Sequence, residues 1–418
     1  MAAVSLAGGV LAATPGVASA ARANQVSAGT SAGASGPLGT GPIFQQTKLT
    51  AADGAAFDQL GSTVAISGDT MVAGVPAATI GDNNLEGAVY VFQHTPLGWT
   101  QEAKLTASDG SLFEQFGSSV AISGDTIFAA APAATVGDNG GQGAVYVFTG
   151  HGSHWTQEAK LTVTDGASED NLGFSLAASG NTVVAGAPNA TVGGNGGQGA
   201  AYVFTGHGSR WSLEAKLAGA DGAAFDQFGW SVGISGNKVI AGALSAEDAY
   251  VFARRGGSWE QEAKLTNPDG PDEFGYSVAI SGDTALVGAP LDGNNGAAYV
   301  FAQDGSGWTE QATLTTADFD GSFGYSVAIS RRTLVVGEPL LGDDGLLFQG
   351  AAYVFSPGLS GWTEQAELTG GDDGDFGYSV GVSDGTIVAG APTDTINGNS
   401  LQGAAYLYQA GLNRPPAT

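Results

Sequence analysis

Short apolar runs with a period of two recur along almost the whole chain, separated by glycine-rich breaks. At Ser119–Ser123, β-branched residues alternate with small ones, the pattern of a half-buried strand. A second apolar run follows at 127–130, with Pro132 at its end, where no ladder donor is lost. A third run, Gly-Ala-Val-Tyr-Val-Phe at 143–148, precedes a fourth at 155–162. Strict alternation along the fourth run puts Glu158 and Lys160 on one side and Trp155, Gln157, Ala159 and Leu161 on the other. Charges on the open side are the expected protection for an edge strand. Between the first two runs, Ser123-Gly124-Asp125-Thr126 reads as a two-residue hairpin in which Gly124 is free to take a positive φ.

This four-run phrase is stated seven times, around Gly61, Gly117, Gly173, Gly229, Gly275, Gly324 and Gly377. Units of about 46 to 56 residues fall in the range of propeller blades. One small antiparallel sheet cannot bury both faces alone, so radial stacking of the units is expected. The expected fold is all-β: a seven-bladed β-propeller of four-stranded antiparallel blades over residues 42–411, with repeats at about 48–103, 104–159, 160–215, 216–263, 264–312, 313–366 and 367–411. Residues 42–50 read as a fourth run without its first three, and the last unit has no fourth run. The N-terminal segment is therefore expected to supply the outer strand of the last blade and close the ring, with Ile43 where other units have Trp.

Trp99, Trp155, Trp211, Trp259, Trp308 and Trp362 share one slot of the repeat and read as packing residues. Trp230 occupies another slot, filled elsewhere by Tyr276, Tyr325 and Tyr378, and also reads as core. Unit four has Leu244 in place of the proline and a shortened loop after it. Unit six is altered at Arg331-Arg332 and carries a longer loop at 340–349. Such departures on one ring mark either a docking place or simple drift.

The phrases carry a family resemblance. Phe116-Gly117, with Gly-Ala-Pro at 186–188, 288–290 and 390–392, resembles the FG-GAP repeat, known from the propeller of integrin alpha chains and from bacterial surface proteins. The resemblance implies the same ring and leaves activity open, since one fold hosts many functions. Integrin-type units that bind Ca²⁺ use an Asp-rich loop between the first two strands. Here that place is taken by the two-residue turns Gly68-Asp69, Gly124-Asp125 and Gly282-Asp283, so those sites are not carried over.

Charge narrows the partners. The formal net charge is −27, which disfavours nucleic acid and anionic membrane surfaces. Cysteine is absent, so neither disulfides nor thiol chemistry is available. Residues 1–23 are rich in Ala, Val, Leu and Gly and include Ala18-Ser19-Ala20, which reads as a signal peptide with a small-residue cleavage site. Residues 24–41 read as a flexible linker and 412–418 as a tail. A secreted or cell-surface, monomeric protein without membrane insertion is expected.

In an antiparallel blade the loop entering the blade and its second-to-third loop share one face. Most of the acidic side chains lie in these two loop classes, among them Asp53, Asp58, Asp109, Glu114, Asp221 and Asp226 in entering loops and Asp82 and Asp138 in second loops. These residues form the candidate binding face. Two readings stay open: an adhesive face that takes Ca²⁺ through clustered carboxylates, and a solvated acidic rim that keeps the protein soluble. His94, His151, His154 and His207 fall in third-to-fourth loops, opposite this face, and read as turn variants more than as metal ligands. The expected function is recognition of an extracellular protein or glycan through the loops. The competing classes are a polysaccharide-acting enzyme, which would need a carboxylate pair near the axis, and a structural module of the cell envelope.

Overall fold

A computed structural model describes residues 43–267, 272–293, 295–316, 321–339, 349–359, 361–371 and 374–410. The expected leader, linker and tail, and the long loop of unit six up to residue 348, lie outside the described residues. The strands form seven four-stranded antiparallel sheets, each running in chain order from its innermost to its outermost strand in the first six. In blade one these are Thr63–Ser67, Thr70–Val75, Ala88–Thr95 and Gly98–Leu105. Thr63–Ser67 lies against the innermost strand of blade two, Ser119–Ser123, and against that of blade seven, Ser379–Ser383, so the ring is closed.

Blade seven is composite. Ser379–Ser383, Thr386–Ala391 and Ala404–Ala410 come from the end of the chain, and Ile43–Leu49 pairs antiparallel with the last of them, from Ile43 opposite Ala410 to Leu49 opposite Ala405. Ile43 packs on the apolar layer between blades six and seven, as Trp155 packs on the layer between blades one and two.

The core lies between blades. Phe116, fully buried, meets Tyr146 and Phe148 edge-on at centroid distances of 5.4 and 6.0 Å. The arrangement recurs at Phe228, Phe274, Phe323 and Phe376. Burying each such ring is worth about 1.5 to 3 kcal/mol. The Gly-Ala-Pro glycine has a separate reason to be glycine: a Cβ on Gly186 would stand 1.9 Å from the Gly229 carbonyl of the next blade. That close approach lets Ser175 Oγ donate to the same carbonyl at 2.9 Å. Equivalent bonds run from Thr63 to Gly117, Ser231 to Gly275, Ser277 to Gly324, Ser326 to Gly377 and, across the closure, Ser379 to Gly61. On the opposite side, the hairpin serines form a second belt. Ser67, Ser123, Ser179 and Ser235 accept from the N–H of Gly124, Gly180, Gly236 and Gly282 in the following blades. The hairpins are two-residue turns with φ near 58° at the glycine, as in Gly68.

The strict alternation expected on the fourth strand does not hold. In blade two Phe148 pairs with Gln157 while Val147 pairs with Ala159, so Glu158 is an extra residue in a β-bulge. A bulge resets which side each later residue faces. Trp155 therefore packs toward blade one with Lys160, whereas Ala159 and Leu161 pack toward blade three. The bulged glutamate faces the next blade, where Glu214 accepts from Trp259 Nε1 at 3.0 Å and Glu262 from Trp308 Nε1 at 3.3 Å.

Candidate functional site

The face formed by entering and second loops is cross-tied from blade to blade. Backbone N–H groups of Phe113, Gln115 and Phe116 donate to the carbonyls of Asn84, Leu85 and Glu86 in the second loop of blade one. Those of Phe57, Gln59 and Leu60 do the same to Ser400, Leu401 and Gln402 across the closure, at 2.9 to 3.0 Å. The two loop classes thus share one face, and the entering loops of blades one to four are each held by three such bonds to the preceding blade.

Most of the acidic residues picked out in the entering loops are engaged in holding this structure. Asp53 accepts from Lys104 Nζ and from the Tyr90 hydroxyl, both at 2.8 Å. Asp109 accepts from Lys160 at 2.7 Å, and Asp221 from Lys264 at 2.7 Å and Tyr250 at 2.9 Å. Each lysine also lies about 5 Å over the ring of its blade's tyrosine, as Lys104 does over Tyr90 at 5.2 Å. Burial alone would raise the pKa of Asp53 and Asp109, but the ammonium groups of Lys104 and Lys160 outweigh it and hold both below the ordinary value. For Asp221 the Lys264 bond is the leading cause of the same direction. Asp58, Glu114 and Asp226 cap their own loops, accepting from the N–H of Ala55, Ser111 and Ala223 at 2.7, 3.2 and 2.6 Å. Burial pushes the Asp58 carboxyl up. Asp82 and Asp138 are different: both are exposed on second loops and make no hydrogen bond or ion pair among the described residues.

Among the described residues no group of three or more His, Asp or Glu is gathered closely enough to hold a metal ion. In the integrin-type position Ser67 pairs directly with Thr70, which leaves only Gly68 and Asp69 to turn the chain. His94 lies on the opposite face, 3.6 Å from Asp69, and His151 and His154 flank a hairpin there.

At the axis the loop face is aromatic. Phe174, Trp230, Tyr276, Tyr325 and Tyr378, each following the repeat's glycine, contact one another in order around five successive blades at 4.6, 6.1, 5.0 and 5.1 Å. Blades one and two have Ser62 and Ser118 in that place. Trp230 thus belongs to an aromatic arc at the channel mouth and is only half-buried. The innermost strands carry no carboxylate. Away from the axis, a groove of about 350 Å³ opens between the loops of blade one, lined by Phe57, Asp58, Ala78, Thr79, Asn84 and Leu85. Another, of about 530 Å³, lies in blade five beside Asp292, Asn295 and Thr316. Large apolar side chains remain exposed on this face at Phe57, Leu112, Phe113, Phe225 and Leu291, a feature that the charge pattern of the loops does not disclose. In unit four the shortened loop is a single 3₁₀ turn, Leu244–Ala246.

Fold and loop face together define a seven-bladed β-propeller whose broad, cross-tied loop surface has no carboxylate on its innermost strands. The sequence profile of the FG-GAP repeat matches residues 43–92, 99–148, 155–204, 211–252, 259–301, 308–355 and 362–408, and the chain belongs to this family. Each matched segment begins on the outer strand of one blade and ends on the third strand of the next, so the repeat spans the joint between blades. A search of curated proteins gives no match.

Proposed function

We propose that the chain is an extracellular binding module that recognises a protein or glycan partner through the loop face. The observation that carries this reading is the form of that face: loops tied by backbone hydrogen bonds with grooves between them, and an axial mouth where aromatic rings of five blades contact one another at tilted angles. Surfaces of this kind suit recognition, because tied loops lose little conformational freedom on binding. Polysaccharide hydrolysis would ask for two carboxylates flanking a scissile bond, and the innermost strands supply none.

The test is an array of extracellular-matrix proteins and glycans probed with the full chain, with and without Ca²⁺. Binding to at least one class is expected. It should weaken in Asp82→Lys and Asp138→Lys, whose side chains are exposed and unpaired among the described residues, and persist in His151→Ala on the opposite face. Binding that ignores the loop-face changes and is lost with the opposite face would overturn the reading, as would cleavage of an arrayed glycan.

A further inference from the structure

Phe57, Phe113 and Phe225 stand at one position of the entering loops of blades one, two and four, 63, 55 and 75% exposed. Each has a left-handed backbone, with φ of 71°, 66° and 68°. That conformation is strained for a bulky L-residue, and exposing the ring forgoes its burial. The fold does not ask for the ring. Glu169 holds the same position in blade three with φ 66°, and its N–H donates to Gly140 at 2.9 Å, as those of Phe57, Phe113 and Phe225 donate to Ser400, Asn84 and Gly196. A polar residue serves the loop equally well, yet three blades expose phenylalanine on a rigid tip, and Leu112 adds apolar surface beside Phe113.

We propose that Phe57, Phe113 and Phe225 are the anchors by which this face docks a protein whose surface presents apolar clefts rimmed by lysine and arginine. The proposal rests on the loop-face reading above and names the chemistry of its partner. Aromatic side chains on preorganised loops are the usual centres of binding energy at protein interfaces. Charge selects the partner. The lysines of this face, Lys104, Lys160, Lys216 and Lys264, are already in ion pairs with loop aspartates, while Asp82, Asp138 and Glu169 are exposed and unpaired among the described residues. The whole chain carries a formal charge of −27. A second copy, or an anionic lipid surface, would bring charge of the same sign to the same place. A basic protein surface is attracted there and has apolar clefts to receive the rings.

The experiment is selection of a display library of random short peptides on the full chain, counter-selected on Phe57→Asn/Phe113→Asn/Phe225→Asn. Asparagine tolerates the left-handed conformation, so the variant should melt at the same temperature or higher. Enriched peptides should combine lysine or arginine with aliphatic or aromatic residues. The best of them, synthesised, should bind the parent chain at least about tenfold more tightly than the variant, with affinity falling as salt is raised. Enrichment of acidic or uncharged sequences, equal binding to the variant, or no enrichment over the variant would each overturn the proposal. So would a self-association, seen by sedimentation, that the triple substitution abolishes. If Asp82→Lys and Asp138→Lys disrupt array binding while the triple variant binds normally, the anchors are refuted and the loop-face reading stands.

Discussion

One joint of the inner belt is broken, and a single methyl group breaks it. In blade two the place of the Gly-Ala-Pro glycine is taken by Ala130, whose Cβ would lie 2.6 Å from a Cβ on Gly173 of blade three. Ser119 Oγ, buried at that joint, has no hydrogen-bond partner among the described residues, whereas Ser231 Oγ donates to Gly275 at 2.8 Å. A buried hydroxyl with a partner contributes about 1 kcal/mol, and one without a partner is a net cost. Ser231→Ala should therefore lower stability by about 1 to 2 kcal/mol in denaturant melts, while Ser119→Ala should leave it unchanged or raise it. Equal losses in the two variants would show that the belt bonds are not what these serines contribute. The repeat made the glycines and tryptophans legible as packing residues. It did not disclose which loop aspartates are engaged, because the partner of each lies in another turn of the chain. A signal was nonetheless present: Lys104 and Asp53, Lys160 and Asp109, and Lys216 and Asp165 are each 51 residues apart, a recurring register of opposite charges.

Strands and turns were read correctly wherever local chemistry decides them. The Ser-Gly-Asp-Thr hairpin follows from glycine's access to positive φ, and blade six shows what happens without it, since Arg331 adopts φ 56° in the same turn. The bulge on the fourth strand was not legible, because nothing in Thr-Gln-Glu-Ala-Lys marks an extra residue; it is fixed by where Trp155 and Ala159 find apolar layers. The terminal strand is legible as a missing part, and Ile43–Leu49 completes the last blade as that reading expects. Closure also runs through the backbone bonds of Phe57, Gln59 and Leu60 to blade seven and through Ser379 Oγ to Gly61. Deleting residues 43–50 removes buried Leu49 and takes Lys48 from Asp394, a carboxylate only 2% exposed that it contacts at 2.8 Å. It also bares the edge of Ala404–Ala410. The expected result is a melting temperature lowered by several degrees and self-association through the bared strand, read by calorimetry and light scattering. A monomeric deletion variant with an unchanged melt would show that the loop ties and the serine belt close the ring unaided.

For the whole ring the distribution of carboxylates sets how stability responds to acid. Burial raises the pKa of Asp58, Asp170, Asp248, Glu273 and Asp375 in the folded chain, with Glu247 adding to the effect at Glu273. Groups raised in this way take up protons in the folded state before they do so unfolded. As pH falls from neutral toward the ordinary carboxylate range, the folded state binds more protons and stability rises. Asp53, Asp109 and Asp221 have the opposite sign: their pKa values are lowered, so their contribution is present above the unfolded value of 3.8 and is lost as pH falls through the folded one. Self-repulsion from a net charge of −27 also eases on acidification. Thermal midpoints should therefore climb from neutral pH to a maximum near about pH 5 and drop below about pH 4. High salt separates the two contributions, because screening removes the long-range repulsion and leaves the effect of burial. Asp170→Asn, which can keep the acceptor for the Ala167 N–H, should flatten part of the climb. A midpoint that falls steadily from neutral pH would mean that ion-paired aspartates, and not buried ones, govern the acid response of the ring.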